Sequence, residues 1–314
     1  MVDSSQSPPR GGCSQPVGDL AARFAERADI SARSLLVTIF GDSIVPLGGE
    51  IWLSDLIQLC SPFQFSERLL RTSMFRLNKD GWFEVERVGR QSIYRLSPWA
   101  RSEFGEAERR IYHRPVSTWD QSWTIVFVSV GIDDKQDRDK ATKALSQAGY
   151  RQLVPGLMAT PSDTPTHAAQ ILDRIGLDKV VPVASARFDD LAPLIAATTP
   201  NDTFGVEPAS SRYVEFVDRH HPQRSHLSSP ITDVDAFVIR TVAMHDFRRA
   251  RLLDPDLPAQ LLPPNWVRHR AFSLAVEIHQ KTYRAASLWV RQFVAHQASP
   301  PPMYPVEMAG RLTS

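Results

Sequence analysis

Cysteine is nearly absent: the two residues in this 314-residue chain, Cys13 and Cys60, make neither a disulfide framework nor a cysteine zinc site. No apolar run approaches the roughly 20 residues of a membrane span, and the first residues lack the apolar core of a secretory leader. The expected location is therefore cytoplasmic. Charge of one sign is not in excess either. The 36 Lys+Arg against 35 Asp+Glu leave a formal +1, so no whole-chain field favours nucleic acid. Gly11-Gly12 and Gly48-Gly49 do not join a strand to a helix, which excludes a phosphate-binding loop. There is no nucleophile-elbow sequence, and nothing local argues for an enzyme. His220, His221 and His226 have no nearby cysteine and are interrupted by Pro222, which reads as a polar loop rather than a metal centre. No cofactor is expected.

What is present is an ordinary folded composition, 42% hydrophobic and 23% charged, at a length that suggests two or three domains. Its basic charge is concentrated. Between Pro62 and Arg95 seven bases (Arg68, Arg71, Arg76, Lys79, Arg87, Arg90, Arg95) face four acids (Glu67, Asp80, Glu84, Glu86), a local +3. Within this stretch Ser66 is a favoured helix N-cap, Glu67 complements the helix dipole, and Gly81 suits the C-terminus. Leu70, Ser73, Met74 and Leu77 recur at helical spacing and predict a core-facing side. The other side carries Arg68, Arg71, Thr72, Phe75 and Lys79, with Arg76 on its flank. From Ser66 to Asp80 the helix spans roughly 22 Å, enough to lie across a DNA groove. Trp82–Val88 and Ser92–Leu96 then alternate around Gly89-Arg90-Gln91, a hairpin signal with a basic tip.

Upstream, Ser31–Ile44 reads as a short apolar helix, Pro46–Gly49 as a turn, and Glu50–Cys60 as a second amphipathic helix ended by Pro62. Three short helices and a basic hairpin match the winged helix-turn-helix plan. That plan makes Ser66, Arg68, Arg71, Thr72, Arg76, Lys79, Arg87 and Arg90 the candidate contacts to double-stranded operator DNA. The competing reading of the same residues is a solvated surface, or a winged domain that binds protein as a scaffold.

The run from Ser34 to Leu96 resembles the N-terminal domain of the PaaX family. The likeness is dense in FGDS (Phe40–Ser43), GGE (Gly48–Glu50), SERLLRTSMFRL (Ser66–Leu77) and the hairpin GWFEVERVGRQSIYRLS. It implies a transcriptional repressor of an aromatic, phenylacetate-type catabolic operon, released by an acyl-CoA such as phenylacetyl-CoA and working as a homodimer.

In the middle of the chain Thr124–Val130 reads as a buried strand, Asp133–Gly149 as a helix, and Arg151–Thr160 as strand broken by Pro155-Gly156. Thr166–Gly176 reads as a second helix and Lys179–Ser185 as a strand, a rhythm that suggests a ferredoxin-like sandwich. By resemblance this domain is similar to the CRISPR-associated small endoribonuclease. Such a nuclease needs an acidic metal ligand near the end of its first strand. Here Asp133 and Asp134 fall beyond it, where they serve as helix-start charges. A metal-dependent nuclease is thus the lesser alternative, and dimerisation the expected work.

The remainder reads as helical over Leu191–Thr198, Ser211–Arg219, Thr232–Asp246 and Arg268–His296, with His245–Trp266 as a connecting segment. Arg240, His245, Arg248, Arg249 and Arg251 lie near Phe247 and Leu252, and Trp266 follows a proline-rich turn. An anionic thioester needs guanidinium groups and an apolar wall. Arg240, His245, Arg248, Arg249 and Trp266 are therefore candidate effector contacts; salt bridging, with Asp254 and Asp256 as partners, explains the same residues equally well. The expected architecture is α+β: a disordered arm over 1–30, a winged helix-turn-helix head over 31–97 and a helical connector over 98–118. A ferredoxin-like domain over 119–187, a helical C-terminal domain over 188–297 and a disordered tail over 298–314 complete it.

Overall fold

The computed structural model describes residues 12–112, 119–161, 163–177, 181–187, 189, 204–228 and 231–294. The expected helix at Leu191–Thr198, the tail from 298 and Arg10 of the arm lie outside them. The chain forms two compact units that interleave along the sequence: Met1–His113, Glu215–Arg249 and Arg270–Ser314 make the first, Arg114–Val214 and Ala250–His269 the second.

In the first unit the arm is not simply a tail. Helix α1 (Gln15–Ala25) starts behind Ser14 with Pro16 in its first turn, and buries Val17, Ala21 and Phe24. Helix α2 (Ala32–Ile39) opens on a reciprocal capping box between Ser31 and Ser34. It continues into a π-helical turn, Phe40–Ile44, that carries buried Asp42. Gly48 and Gly49 take φ of 115° and 76°, a backbone that only glycine adopts without strain. The expected helix over Glu50–Cys60 needs correction. Glu50–Trp52 is strand β1, paired antiparallel with Tyr94 opposite Ile51, and only Leu53–Leu59 is helical (α3). Helix α4 (Glu67–Lys79) follows. It ends as a Schellman motif, with the Gly81 N–H donating to the Asn78 carbonyl at 2.9 Å and the Trp82 N–H to Leu77 at 3.0 Å. Strands β2 (Phe83–Val88) and β3 (Gln91–Leu96) form the hairpin, with Gly89 at φ 62° in its two-residue turn, and the small sheet runs β1-β3-β2. Helix α5 is Pro98–Tyr112.

Three later helices complete the two units: α8 (Val206–His220), α9 (Asp233–Leu253) and α10 (Arg268–Val294). Within the first unit, Phe24, Phe63, Phe237 and His245 interlock, with ring centroids 5.2–6.0 Å apart. The expected connector beginning at His245 is instead helix as far as Leu253.

The second unit contains a four-stranded antiparallel sheet: β4 (Ser122–Phe127), β5 (Arg151–Val154), β6 (Leu157–Thr160) and β7 (Val183–Arg187), in the order β5-β6-β4-β7. Helix α6 (Lys135–Gln147) joins the first two strands and α7 (Pro165–Asp173) the last two. This is the βαββαβ order of a ferredoxin-like sandwich. Central strand β4 explains its own uninterrupted apolar sequence. Val126 packs with Leu145, Met158 and Leu172 on one side, Trp123 and Ile125 with Phe204 and Leu257 on the other. No helix among the described residues is long and apolar enough to cross a membrane.

Candidate functional site

Helix α4 divides into two faces as its spacing predicts. Leu70, Ser73, Met74 and Leu77 are buried, while Arg68, Arg71, Thr72, Phe75, Arg76 and Lys79 are exposed. Ser66 caps the helix by accepting the Leu69 N–H at 3.3 Å. Arg71 is engaged in advance by Glu67, one turn back, at 2.6 Å. Such an exposed pair is worth about 0.5 kcal/mol and yields readily to a stronger anion. The Thr72 hydroxyl donates to the Arg68 carbonyl at 2.8 Å. Arg87 and Arg90 are exposed on the hairpin. Burial raises the Tyr94 phenol pKa while the charges of Arg71 and Arg87 oppose the rise, so helix and hairpin cations act on one hydroxyl from two elements. Among the described residues, Arg68, Arg76, Lys79, Arg87 and Arg90 form no ion pair. Arg95 differs from them. Glu50 and Glu86 hold it across the sheet, so its charge is spent on the fold.

The rear cluster is differently built. Arg240 is buried, 2.8 Å from the Asp42 carboxylate, donates to the Asp42 carbonyl at 2.8 Å, and lies over the Tyr283 ring. Tyr112 donates to the same carboxylate at 2.6 Å. Burial alone would raise the Asp42 pKa, but Arg240, His279 and the Tyr112 hydroxyl together hold it below the usual carboxylate range. His245 is fully buried, with Nδ1 2.9 Å from the Thr38 hydroxyl, and desolvation drops its pKa to about 3. Arg249 pairs with Asp29. Arg248 has no carboxylate partner among the described residues. It reaches the Thr38 hydroxyl at 3.5 Å, and burial lowers its pKa. It lines a cavity of about 30 Å3 with Val37, Gly41, Phe104, Tyr112 and Met244. Trp266 belongs to the second unit, where it meets Tyr213 edge-on at 5.8 Å. Arg251 is also there, paired with Asp254 and Asp256 as the salt-bridge reading anticipates. The structure thus brings Arg248, His245 and Thr38 together. It commits Arg240, Arg249 and Arg251 to carboxylates.

Sequence reasoning missed the acids that close these pairs, Asp29 and Asp42, and also Asp246. The last accepts from Arg27, Arg219 and His220 at 2.8–2.9 Å, which gives His220 a structural partner. In the second unit Asp134 accepts the Gln136 and Asp137 N–H groups as the N-cap of α6.

Fold and site define a class: a mixed helix-and-sheet protein with an exposed basic helix-and-hairpin face and a separate Cas2-like sandwich. Comparison with known proteins agrees. The description "PaaX-like protein" matches residues 31–100, "PaaX protein central Cas2-like domain" 116–196 and "PaaX-like protein C-terminal domain" 204–292. The chain is 34% identical over 273 residues to the transcriptional repressor PaaX of Escherichia coli (strain K12), covering 84% of each. The chain belongs to the PaaX family. In fold it is similar to an uncharacterized protein from Mycobacterium tuberculosis, at TM-score 0.50 and 18% identity, over 82% of this chain and 98% of that one.

Proposed function

We propose that this protein is a DNA-binding transcriptional repressor of the PaaX type, whose head over 31–97 works as a winged helix-turn-helix. The observation that carries the reading is the exposed side of α4, where Arg68, Arg76 and Lys79 have no ion-pair partner among the described residues, together with the exposed Arg90 of the following hairpin turn. In a homodimer joined through the Cas2-like domains, two such helices enter successive major grooves of a pseudo-palindrome. Arg68, Arg71, Thr72 and Arg76 reach bases or phosphates, with Lys79 and the Ser66 end of the helix against the backbone. Arg87 and Arg90 reach the adjacent backbone or minor groove.

The regulated operon is of the aromatic, phenylacetate type, and an acyl-CoA such as phenylacetyl-CoA releases the repressor. Arg248 supports the effector role better than its neighbours, because a desolvated guanidinium with no ion-pair partner among the described residues, although Asp42 and Glu108 line the same cavity, favours an arriving anion. A cavity of about 30 Å3 admits an acyl group only if its walls part. Binding therefore selects a rearranged state, which is what release from DNA requires.

The test is a gel shift on the DNA upstream of the protein's own gene. Wild type should bind with specific affinity and lose it on addition of phenylacetyl-CoA. An Arg68/Arg71/Arg76 triple alanine variant that bound equally well would remove the assignment of α4. Undiminished release in Arg248→Ala would remove the effector placement.

A further inference from the structure

Phe75 is 65% exposed, the most exposed large apolar side chain among the described residues. It sits within the cationic face of α4 rather than at its edge. At 3.6 residues per turn, Arg68, Thr72, Phe75 and Lys79 fall within about 60° of arc, with Arg71 and Arg76 on either side. Along the axis Phe75 lies about 10 Å from Arg68 and about 6 Å from Lys79. Nothing in the fold requires a ring there, since Leu70, Met74 and Leu77 already supply the core. The occupant of this face is selected by charge. Its one acid, Glu67, is taken up by Arg71, and its other charged groups, Arg68, Arg76 and Lys79, are cations with no ion-pair partner among the described residues. They favour a polyanion over an apolar protein surface. A phosphate gives a phenyl ring nothing, whereas the major groove offers one apolar group, the C5-methyl of thymine.

Resting on the DNA-binding reading above, we propose that Phe75 is a specificity-determining residue that packs on a thymine methyl in each half-site, flanked by the Arg68, Arg71 and Arg76 contacts. The site then prefers thymine at one position through an apolar contact and not through a hydrogen bond.

The experiment begins with duplexes selected from a random pool by the full-length protein. Each thymine of the selected site is replaced in turn by deoxyuridine, which deletes only the methyl group, and affinity is read by fluorescence anisotropy. One replacement per half-site should weaken wild type by about fourfold, the value of burying one methyl-sized group. Phe75→Ala should bind the parent duplex as weakly and be insensitive to that replacement. Phe75→Leu, still apolar, should keep part of the sensitivity. Specific binding that no uracil replacement alters would overturn the proposal and leave the DNA reading intact. So would Phe75→Ala that responds to uracil like wild type, or one that changes subunit association and not DNA affinity. Failure to select any duplex would sink both.

Discussion

At the scale of single residues, the first unit joins charges from distant sequence, one pair buried (Asp42–Arg240) and one exposed (Asp29–Arg249). Asp42 and Arg240 are 198 positions apart, and Asp29 and Arg249 are 220 apart. No local pattern announces such pairs, which is why the rear basic cluster reads equally as a ligand site or a salt-bridge network before the fold is known. His245 shows what burial without a carboxylate partner does. Its Nδ1 meets Thr38 and its ring edge meets Phe24; desolvation opposes its protonation most strongly, Asp246 favours it, and Arg248, Arg249 and Arg27 add to the opposition. In the unfolded chain the imidazole takes a proton near pH 6.5; in the folded protein it does so only at about 3. The unfolded state therefore binds more protons across that window, so this group's contribution to stability is complete above pH 6.5 and falls as pH drops toward 3. At pH 5 the loss is about 2 kcal/mol. Denaturant midpoints measured from pH 7 to pH 5 should fall in wild type and fall less steeply in His245→Leu, whatever that variant's stability at pH 7. Equal slopes would show that His245 titrates normally.

At the scale of elements, legibility followed the range of the forces involved. Helix α4 was readable in full because its cap, its buried side and its Schellman end are all local. The hairpin was readable because Gly89 and the alternation around it set the register. Glu50–Trp52 was not. Three residues are too few to show a period, and what makes them a strand is pairing with β3, some 40 positions on. The sequence reads as ending helix α9 at Asp246 for the opposite reason. Its charged run HDFRRAR looks like a connector, yet each charge finds a buried or part-buried place and the helix continues to Leu253. The hairpin carries a prediction of its own. Arg87 and Arg90 are exposed and unpaired among the described residues, and of the two contacts proposed for them the backbone one has a distinct signature. Replacing both with Ala should weaken binding to specific and random duplexes alike. It should also flatten the plot of log K against log salt by about one unit per lost contact. A loss confined to the specific duplex would place these arginines on base edges instead.

At the scale of the whole molecule, chain order suggests separate beads, a DNA-binding head followed by a connector, a sandwich and a helical tail. The first compact unit instead includes Met1–His113 together with Glu215–Arg249 and Arg270–Ser314. Its core depends on both parts. Phe24 and Phe63 close on His245 and Phe237, Thr38 bonds His245, and Asp42 is satisfied by Arg240 from α9 as well as by Tyr112. Remove the later helices and Phe24, Phe63 and Thr38 lose the partners that bury them, at about 1.5–3 kcal/mol for each large apolar side chain returned to water, while Asp42 loses its guanidinium. A small domain has only about 5–15 kcal/mol in total. Residues 1–113 expressed alone should therefore lack a cooperative unfolding transition. In the full chain, backbone amides of Leu36 and Phe40 in the head should exchange with the same opening free energy as Val238 and Ile239 of α9. If the fragment instead unfolds cooperatively, or the head amides exchange independently of α9, then the head is an autonomous module and the signal of the proposed effector must cross a hinge to reach it. If they exchange together, whatever loosens α9 at Arg248 already acts on the body that carries α4.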